Sequence, residues 1–168
     1  VEAFDRADGR RRWMWRARAT APIPAVHEKH NLATPTPVTD GQRVYAWFES
    51  QGMFVFDMDG KPLWQKDLGD KKMRNQFGEG STPVLYRDRL FIVWDHQGQS
   101  FIVAPNARTG DEIWRVNREE IDTWATPLVV EHGGRAQVIA PAMRKVRSYD
   151  VENGQIVWEG PGLTLNPI

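Results

Sequence analysis

Histidines, carboxylates and one out-of-register tryptophan are the side chains of this 168-residue chain best suited to binding or catalysis. The densest run is His27-Glu28-Lys29-His30-Asn31. His27 and His30 stand three apart, but Pro22, Pro24 and Pro35 flank them. Proline works against a continuous helix that would aim both rings at one ion. A zincin-type helix also needs two residues between the glutamate and the second histidine, where this chain has one. A metal would have to recruit Asp95, His96 or Glu79 from a neighbouring unit. Ligand contact without metal is an alternative, and a solvated polar loop is the preferred reading. No metal is predicted, and no residue is assigned a catalytic role.

Composition narrows the remaining chemistry. There is no cysteine, which removes disulfides, zinc–cysteine sites and thiol catalysis. Lys+Arg and Asp+Glu both total 22, so no net field favours nucleic acid or an anionic membrane. The stretches 10–18 and 69–76 form the basic clusters; 10–18 reads as an outer strand with a solvated side, Arg10, Arg12, Met14 and Arg16 on one face and Arg11, Trp13 and Trp15 on the other, with nucleic-acid contact the minority alternative. No apolar run reaches the about 18 residues that span a bilayer, so direct membrane insertion is not expected.

The elements that must position these groups repeat. Residues 3–13 (AFDRADGRRRW), 104–114 (APNARTGDEIW) and 148–158 (SYDVENGQIVW) each carry Asp or Asn, then Gly four residues on, then Trp eight residues on. Residues 55–64 (VFDMDGKPLW) follow the scheme with one residue fewer before the glycine. The tryptophans Trp13, Trp64, Trp114 and Trp158 are spaced 51, 50 and 44 apart. Thr36-Pro37-Val38, Thr82-Pro83-Val84 and Thr126-Pro127-Leu128 run in step, spaced 46 and 44.

Between these markers lie short Val/Ile/Phe/Tyr/Trp runs bounded by Gly, Asp and Asn, which are strand and turn signals. No stretch sustains a helical period. The spacing predicts an all-β fold, a β-propeller of four-stranded antiparallel blades. About three to four blades are present as a partial, open propeller: outer strands in 1–19, complete blades at 36–68, 82–117 and 126–159, and the start of another at 163–168. Gly9, Gly60, Gly110 and Gly154 then make the tight last hairpin of each unit. Calcium is a poorer explanation of these turns, since each offers only one or two carboxylates against the six to eight oxygens calcium takes.

These residues resemble the PQQ-like (pyrroloquinoline quinone) β-propeller repeat family, whose repeat runs Ala-x-Asp-x-x-Thr-Gly-x-x-x-Trp. Ala104, Asn106, Thr109, Gly110 and Trp114 carry the likeness most fully. Ala3, Asp5, Gly9 and Trp13 carry it again, as do Asp57, Gly60 and Trp64, and Asp150, Gly154 and Trp158. The resemblance implies docking of each Trp and Gly between successive blades, a ring of about eight blades, and a periplasmic or extracellular setting. It also implies that this segment is completed by the remaining blades of a longer chain or by self-association. Catalytic members use the quinone over a calcium ion with an Asp base, while non-catalytic relatives bind proteins. No catalytic residue of the family aligns here, so no cofactor is predicted. PQQ with calcium enters only if the chain is part of a quinoprotein dehydrogenase.

Strand parity separates two loop faces. One face carries the tight turns 39–43, 57–60, 87–89, 108–110, 131–135 and 152–154. The other carries the long links 20–35, 69–81 and 118–125 with the turns 49–52, 95–99 and 141–144. Loops held by a rigid scaffold are where binding groups concentrate. The candidate ligand residues on this link face are His27, His30, Asn31, Glu79, Asp95, His96, Asp122 and Trp124, and Trp124 offers a stacking surface for a planar ligand. The expected function is a non-catalytic scaffold for a protein or small-molecule ligand, with the dehydrogenase fragment as the alternative.

Overall fold

A computed structural model of the chain describes residues 1–16, 27–28 and 33–163. The described residues form four antiparallel sheets, each a meander in sequence order. The first sheet pairs β1 (Glu2–Phe4) with β2 (Arg11–Met14). The second holds β3 (Val38–Thr39), β4 (Arg43–Trp47), β5 (Met53–Asp57) and β6 (Pro62–Lys66). The third holds β7 (Val84–Tyr86), β8 (Arg89–Trp94), β9 (Ser100–Pro105) and β10 (Glu112–Arg118). The fourth holds β11 (Leu128–His132), β12 (Arg135–Ala140), β13 (Lys145–Asp150) and β14 (Ile156–Pro161). Helical structure among the described residues is limited to two single 3-10 turns, Glu49–Gln51 and Arg74–Gln76. Both lie on the link face.

The sheets pack face to face, which explains why their middle strands are apolar without alternation. Every residue of β9 is buried, because one side of that strand faces the second sheet and the other faces the fourth. Between the second and third sheets lie Tyr45, Trp47, Met53 and Val55 against Leu90, Ile92, Trp94 and Val103. Between the third and fourth lie Phe91, Val93, Ile102 and Trp114 against Val138, Ala140, Tyr149 and Val151. Adjacent strand residues therefore serve two different cores, and residues two apart share one.

The last hairpins share one geometry. Asp5, Asp57, Asn106 and Asp150 each accept, through Oδ1, the backbone N–H two residues on, at 2.8–3.0 Å. The glycine N–H closes the turn onto the carbonyl of the same residue, and the four glycines have φ between +72° and +84°. That left-handed backbone is open to glycine at little cost. A second constraint acts at three of them. A Cβ on Gly60 would lie 2.6 Å from the Trp13 ring, one on Gly110 2.8 Å from Trp64, and one on Gly154 2.7 Å from Trp114. Each ring thus covers the glycine of the following sheet. The indole N–H of Trp13 donates to the carbonyl of Met58 and that of Trp114 to Val151, both at 3.0 Å. Burial of such a ring contributes about 2–3 kcal/mol.

Candidate functional site

The link face is bound together by buried charge, and most of the acidic candidates are spent there. Glu49 sits in the 3-10 turn after β4 with φ +50°, a left-handed backbone that a non-glycine residue rarely adopts. That conformation turns its carboxylate inward. Oε1 accepts the Lys71 ammonium at 3.1 Å and the Ser81 N–H at 3.0 Å, with the two side chains 2% and 0% exposed. Burial pushes the Glu49 carboxyl upward, Lys71 opposes that shift, and the charge of Glu79 adds to it. Lys71 also lies 4.9 Å above the Trp94 ring. Glu79 accepts the Ser50 N–H at 2.9 Å and the Ser50 hydroxyl, while the Lys71 N–H donates to that hydroxyl oxygen at 2.8 Å. One knot of side chains thereby ties turn 49–52 to link 69–81.

Asp95 and Asp122 are committed in the same way. Asp95 receives Arg118 through Nε at 2.8 Å and Nη2 at 3.0 Å, and both side chains are wholly buried. The remaining terminal nitrogen of Arg118 donates to the Tyr149 hydroxyl at 2.7 Å, joining the third sheet to the fourth. Asp122 accepts the Gln97 amide at 2.6 Å, the Arg74 N–H at 3.2 Å and the Arg74 guanidinium at 3.3 Å. Farther along the face, Glu120 receives Arg147 at 3.0 Å and the N–H groups of Arg144 and Lys145. Each carboxylate is matched by a cation, so burying it does not leave an isolated charge.

His96 is a neutral spacer. Its Nδ1 accepts the Lys72 N–H at 3.1 Å, which leaves Nε2–H to donate to the Gln99 carbonyl at 3.3 Å. Burial lowers its pKa; the Gln99 carbonyl and the Asp122 and Asp95 charges work against that, and the Lys71 ammonium works with it. A metal would need one of these nitrogens free. No group of three or more His, Asp or Glu among the described residues is arranged to hold a metal ion.

What the link face does present is an aromatic and cationic spot. Trp124 is anchored by its indole N–H, which donates to the Gly78 carbonyl at 2.9 Å, and its ring lies 3.1 Å from where a Cβ on Gly80 would stand. Phe77 leans on it with ring centroids 6.3 Å apart, and the Arg74 guanidinium lies 5.9 Å from the Trp124 ring. His27 meets Phe77 edge-on at 6.2 Å. Phe77 is 39% exposed and Trp124 half-buried. Of the sequence candidates, the structure therefore gathers His27 and Trp124 here, beside Asp122, and places Glu79, Asp95 and His96 in the buried network. His30 and Asn31 lie outside the described residues.

Sequence reasoning did not single out Phe77, Arg74, Glu49, Lys71 or Arg118. Phe77 is the one aromatic in the mostly polar link 69–81, a signal that the sequence carries. The partners of the buried carboxylates had none, because Lys71 and Arg118 sit 22 and 23 residues from the acids they meet.

A family model described as "Outer membrane protein assembly factor BamB" matches residues 1–165. Methanol dehydrogenase (cytochrome c) subunit 1 of Methylobacterium organophilum is 27% identical over 144 residues, covering 72% of this chain and 22% of that protein. Among solved structures, the quinohemoprotein alcohol dehydrogenase of Comamonas testosteroni superposes with a TM-score of 0.59 at 18% identity, over 77% of this chain and 21% of that one. BamB of Moraxella catarrhalis superposes with a TM-score of 0.53 at 17% identity, over 98% of this chain and 59% of that one. The chain spans about a fifth of the length of the two dehydrogenases, at 22% and 21%. These structural likenesses establish the propeller architecture. With the match running over nearly its whole length, the chain belongs to the PQQ-like β-propeller repeat family.

Proposed function

We propose that this chain is a non-catalytic propeller segment that binds a protein partner through its link face, with Phe77, Trp124 and Arg74 as the anchoring spot. The observation that carries the reading is the exposed Phe77 ring held against an immobilised Trp124 beside a guanidinium. Aromatic and arginine side chains on a rigid support dominate binding energy at interfaces. The buried ion pairs around them hold the loops in place, so little ordering cost would accompany binding. A periplasmic or extracellular setting fits a family described by outer membrane protein assembly. No helix of the described residues is long and apolar enough to cross a membrane.

The test uses an unfolded outer-membrane β-barrel polypeptide as probe, followed by fluorescence anisotropy. Phe77→Ala is expected to weaken binding about tenfold, in line with loss of one interface anchor. Ile113→Ala, an equally exposed apolar residue on β10, is expected to leave it unchanged. Absence of binding, or equal effects of both changes, would overturn the reading.

The likeness to methanol dehydrogenase favours a second reading, a segment of a quinone-dependent dehydrogenase. The described carboxylates do not fit a calcium-bound quinone as they stand. Glu49 faces the Lys71 ammonium, Glu79 is taken up by the N–H and hydroxyl of Ser50, and Asp95 and Asp122 face arginines. No catalytic step is drawn from them. Saturable PQQ binding in the presence of calcium, together with dye reduction, would favour this reading over the first.

A further inference from the structure

Turn 95–99 grips link 69–81 at a single residue. The Lys72 N–H donates to His96 Nδ1 at 3.1 Å, and the Lys72 carbonyl accepts the Gln97 N–H at 2.9 Å. The Gln97 side chain adds a second tie by donating to Asp122 at 2.6 Å. Asp122 in turn accepts the Arg74 N–H at 3.2 Å and the Arg74 guanidinium at 3.3 Å. The Arg74 carbonyl receives the Phe77 N–H at 3.1 Å. The exposed Phe77 ring thus stands at the end of a short series of contacts that begins at turn 95–99. Asn75, between Arg74 and Phe77, has φ +51°, a left-handed backbone that persists only where its surroundings hold it.

The tie at His96 is the one whose acceptor titrates near neutral pH. The imidazole accepts at Nδ1 because its proton sits on Nε2, which donates to the Gln99 carbonyl at 3.3 Å. A proton added to Nδ1 turns that acceptor into a donor facing the Lys72 N–H. The ring is hemmed in: a Cβ on Gly98 would lie 2.6 Å from its Cε1, and the Trp94 ring stands edge-on at 6.1 Å. The conflict is therefore relieved by movement of Lys72. Burial lowers the His96 pKa from 6.5, which keeps the tie intact at neutral pH. Lys71, from the link itself, also opposes an imidazolium. Asp122 and Asp95 attract one, but Arg74 and Arg118 already pair with them.

We propose that His96 is a proton-operated latch: a proton taken up from solvent at Nδ1 displaces the Lys72 N–H and frees link 69–81, with its Phe77 anchor, from turn 95–99. The consequence for binding rests on the proposed docking role of the link face. A loosened Phe77 must be ordered again when a partner docks, so acid weakens binding.

Amide hydrogen exchange resolved by NMR reads the latch in the chain alone. The protection factor of Lys72 is expected to fall about tenfold per pH unit below about pH 6.5. The fall should level off where the His96 ring titrates, followed by its own chemical shifts. Lys72 should also stay less protected than the amides of β9, as a local opening requires. His96→Asn offers a carbonyl oxygen that does not titrate in place of Nδ1, and should leave Lys72 protection flat over the same interval. Glu49, whose carboxyl is pushed upward by burial, titrates in both proteins and produces no difference between them. Wild-type protection that is independent of pH would overturn the latch. Equal falls in both proteins, or a fall that levels off away from the His96 titration, would overturn it as well.

Fluorescence anisotropy with the unfolded β-barrel probe reads the consequence. Between neutral pH and about pH 5 the wild type is expected to lose about threefold more affinity than His96→Asn, since apparent affinity follows the latched fraction. Equal losses would overturn the regulation of binding. Absence of binding at every pH would overturn the docking role alone, because hydrogen exchange decides the latch without a partner.

Discussion

Asp95 and Arg118 meet through two parallel hydrogen bonds of 2.8 and 3.0 Å, with neither side chain reaching solvent. Asp95 follows β8 and Arg118 ends β10, so the pair closes the link-face end of the third sheet, and Arg118 extends the tie to Tyr149. Burial works against the Arg118 charge, but Asp95 outweighs it and holds the guanidinium pKa above its ordinary value. Removing one member strands the other charge in a dry site. Asp95→Ala is expected to cost about 3–5 kcal/mol in urea unfolding. Asp95→Leu combined with Arg118→Met should recover a large part of that loss. If both variants prove equally unstable, the charge imbalance is not the cause.

The glycine under each tryptophan gives a controlled comparison. Gly110 and Gly41 have nearly the same backbone, φ +79° and +81°. A Cβ on Gly110 would meet the Trp64 ring at 2.8 Å, while one on Gly41 meets nothing within 4 Å. Gly41→Ala should therefore cost only the left-handed backbone penalty, about 1–2 kcal/mol. Gly110→Ala should add about 1–3 kcal/mol for displacing a packed ring. Chemical denaturation midpoints of the two variants read the difference directly. Equal losses would mean that Trp64 moves aside freely.

The fold was legible because its signals are local and periodic. The Asx-type hydrogen bond and the positive φ of Gly9, Gly60, Gly110 and Gly154 are set within five residues of chain, and each recurs in phase with a tryptophan. The link face obeys no such period. Lys71 reaches Glu49 across 22 residues, and Gln97 reaches Asp122 across 25, so neither pairing leaves a mark in the spacing. Polar residues in that face therefore looked available for a ligand, while packing had assigned Asp95 and Asp122 to arginines. Trp124 was visible as a tryptophan out of register, but Phe77 gains its meaning only from the ring it rests on.

His96 predicts an acid-side loss of stability. Its pKa is held below the ordinary 6.5, chiefly by burial. Its Nδ1 already accepts the Lys72 N–H, so a proton there would set donor against donor. The unfolded chain binds the proton more readily than the folded chain does. The stability linked to His96 is thus complete above about pH 6.5 and is lost as the pH falls through the depressed folded value. A His96→Gln variant should lose less stability than wild type over that interval. Parallel pH dependences of wild type and variant, measured by urea midpoints, would remove His96 as the titrating group.

Lys71 supplies the reverse slope. With Lys71 present, its ammonium opposes the upward push of burial on Glu49. Lys71→Met deletes that opposition and leaves the Glu79 charge unbalanced nearby, so the Glu49 carboxyl moves further up. A carboxyl whose folded pKa lies above its unfolded value of 4.5 favours folding at low pH, and that contribution is lost as the pH rises through the folded value. The variant should accordingly be weaker than wild type by about 3–5 kcal/mol near neutral pH, where an uncompensated charge would be buried. The gap should narrow steadily as the pH falls and Glu49 takes up its proton. Adding Glu49→Gln to Lys71→Met should abolish this narrowing, since the titrating group is then gone. A gap that is independent of pH in the single variant would show that Lys71 acts by packing on Trp94, 4.9 Å from its ammonium, and not through the charge of Glu49.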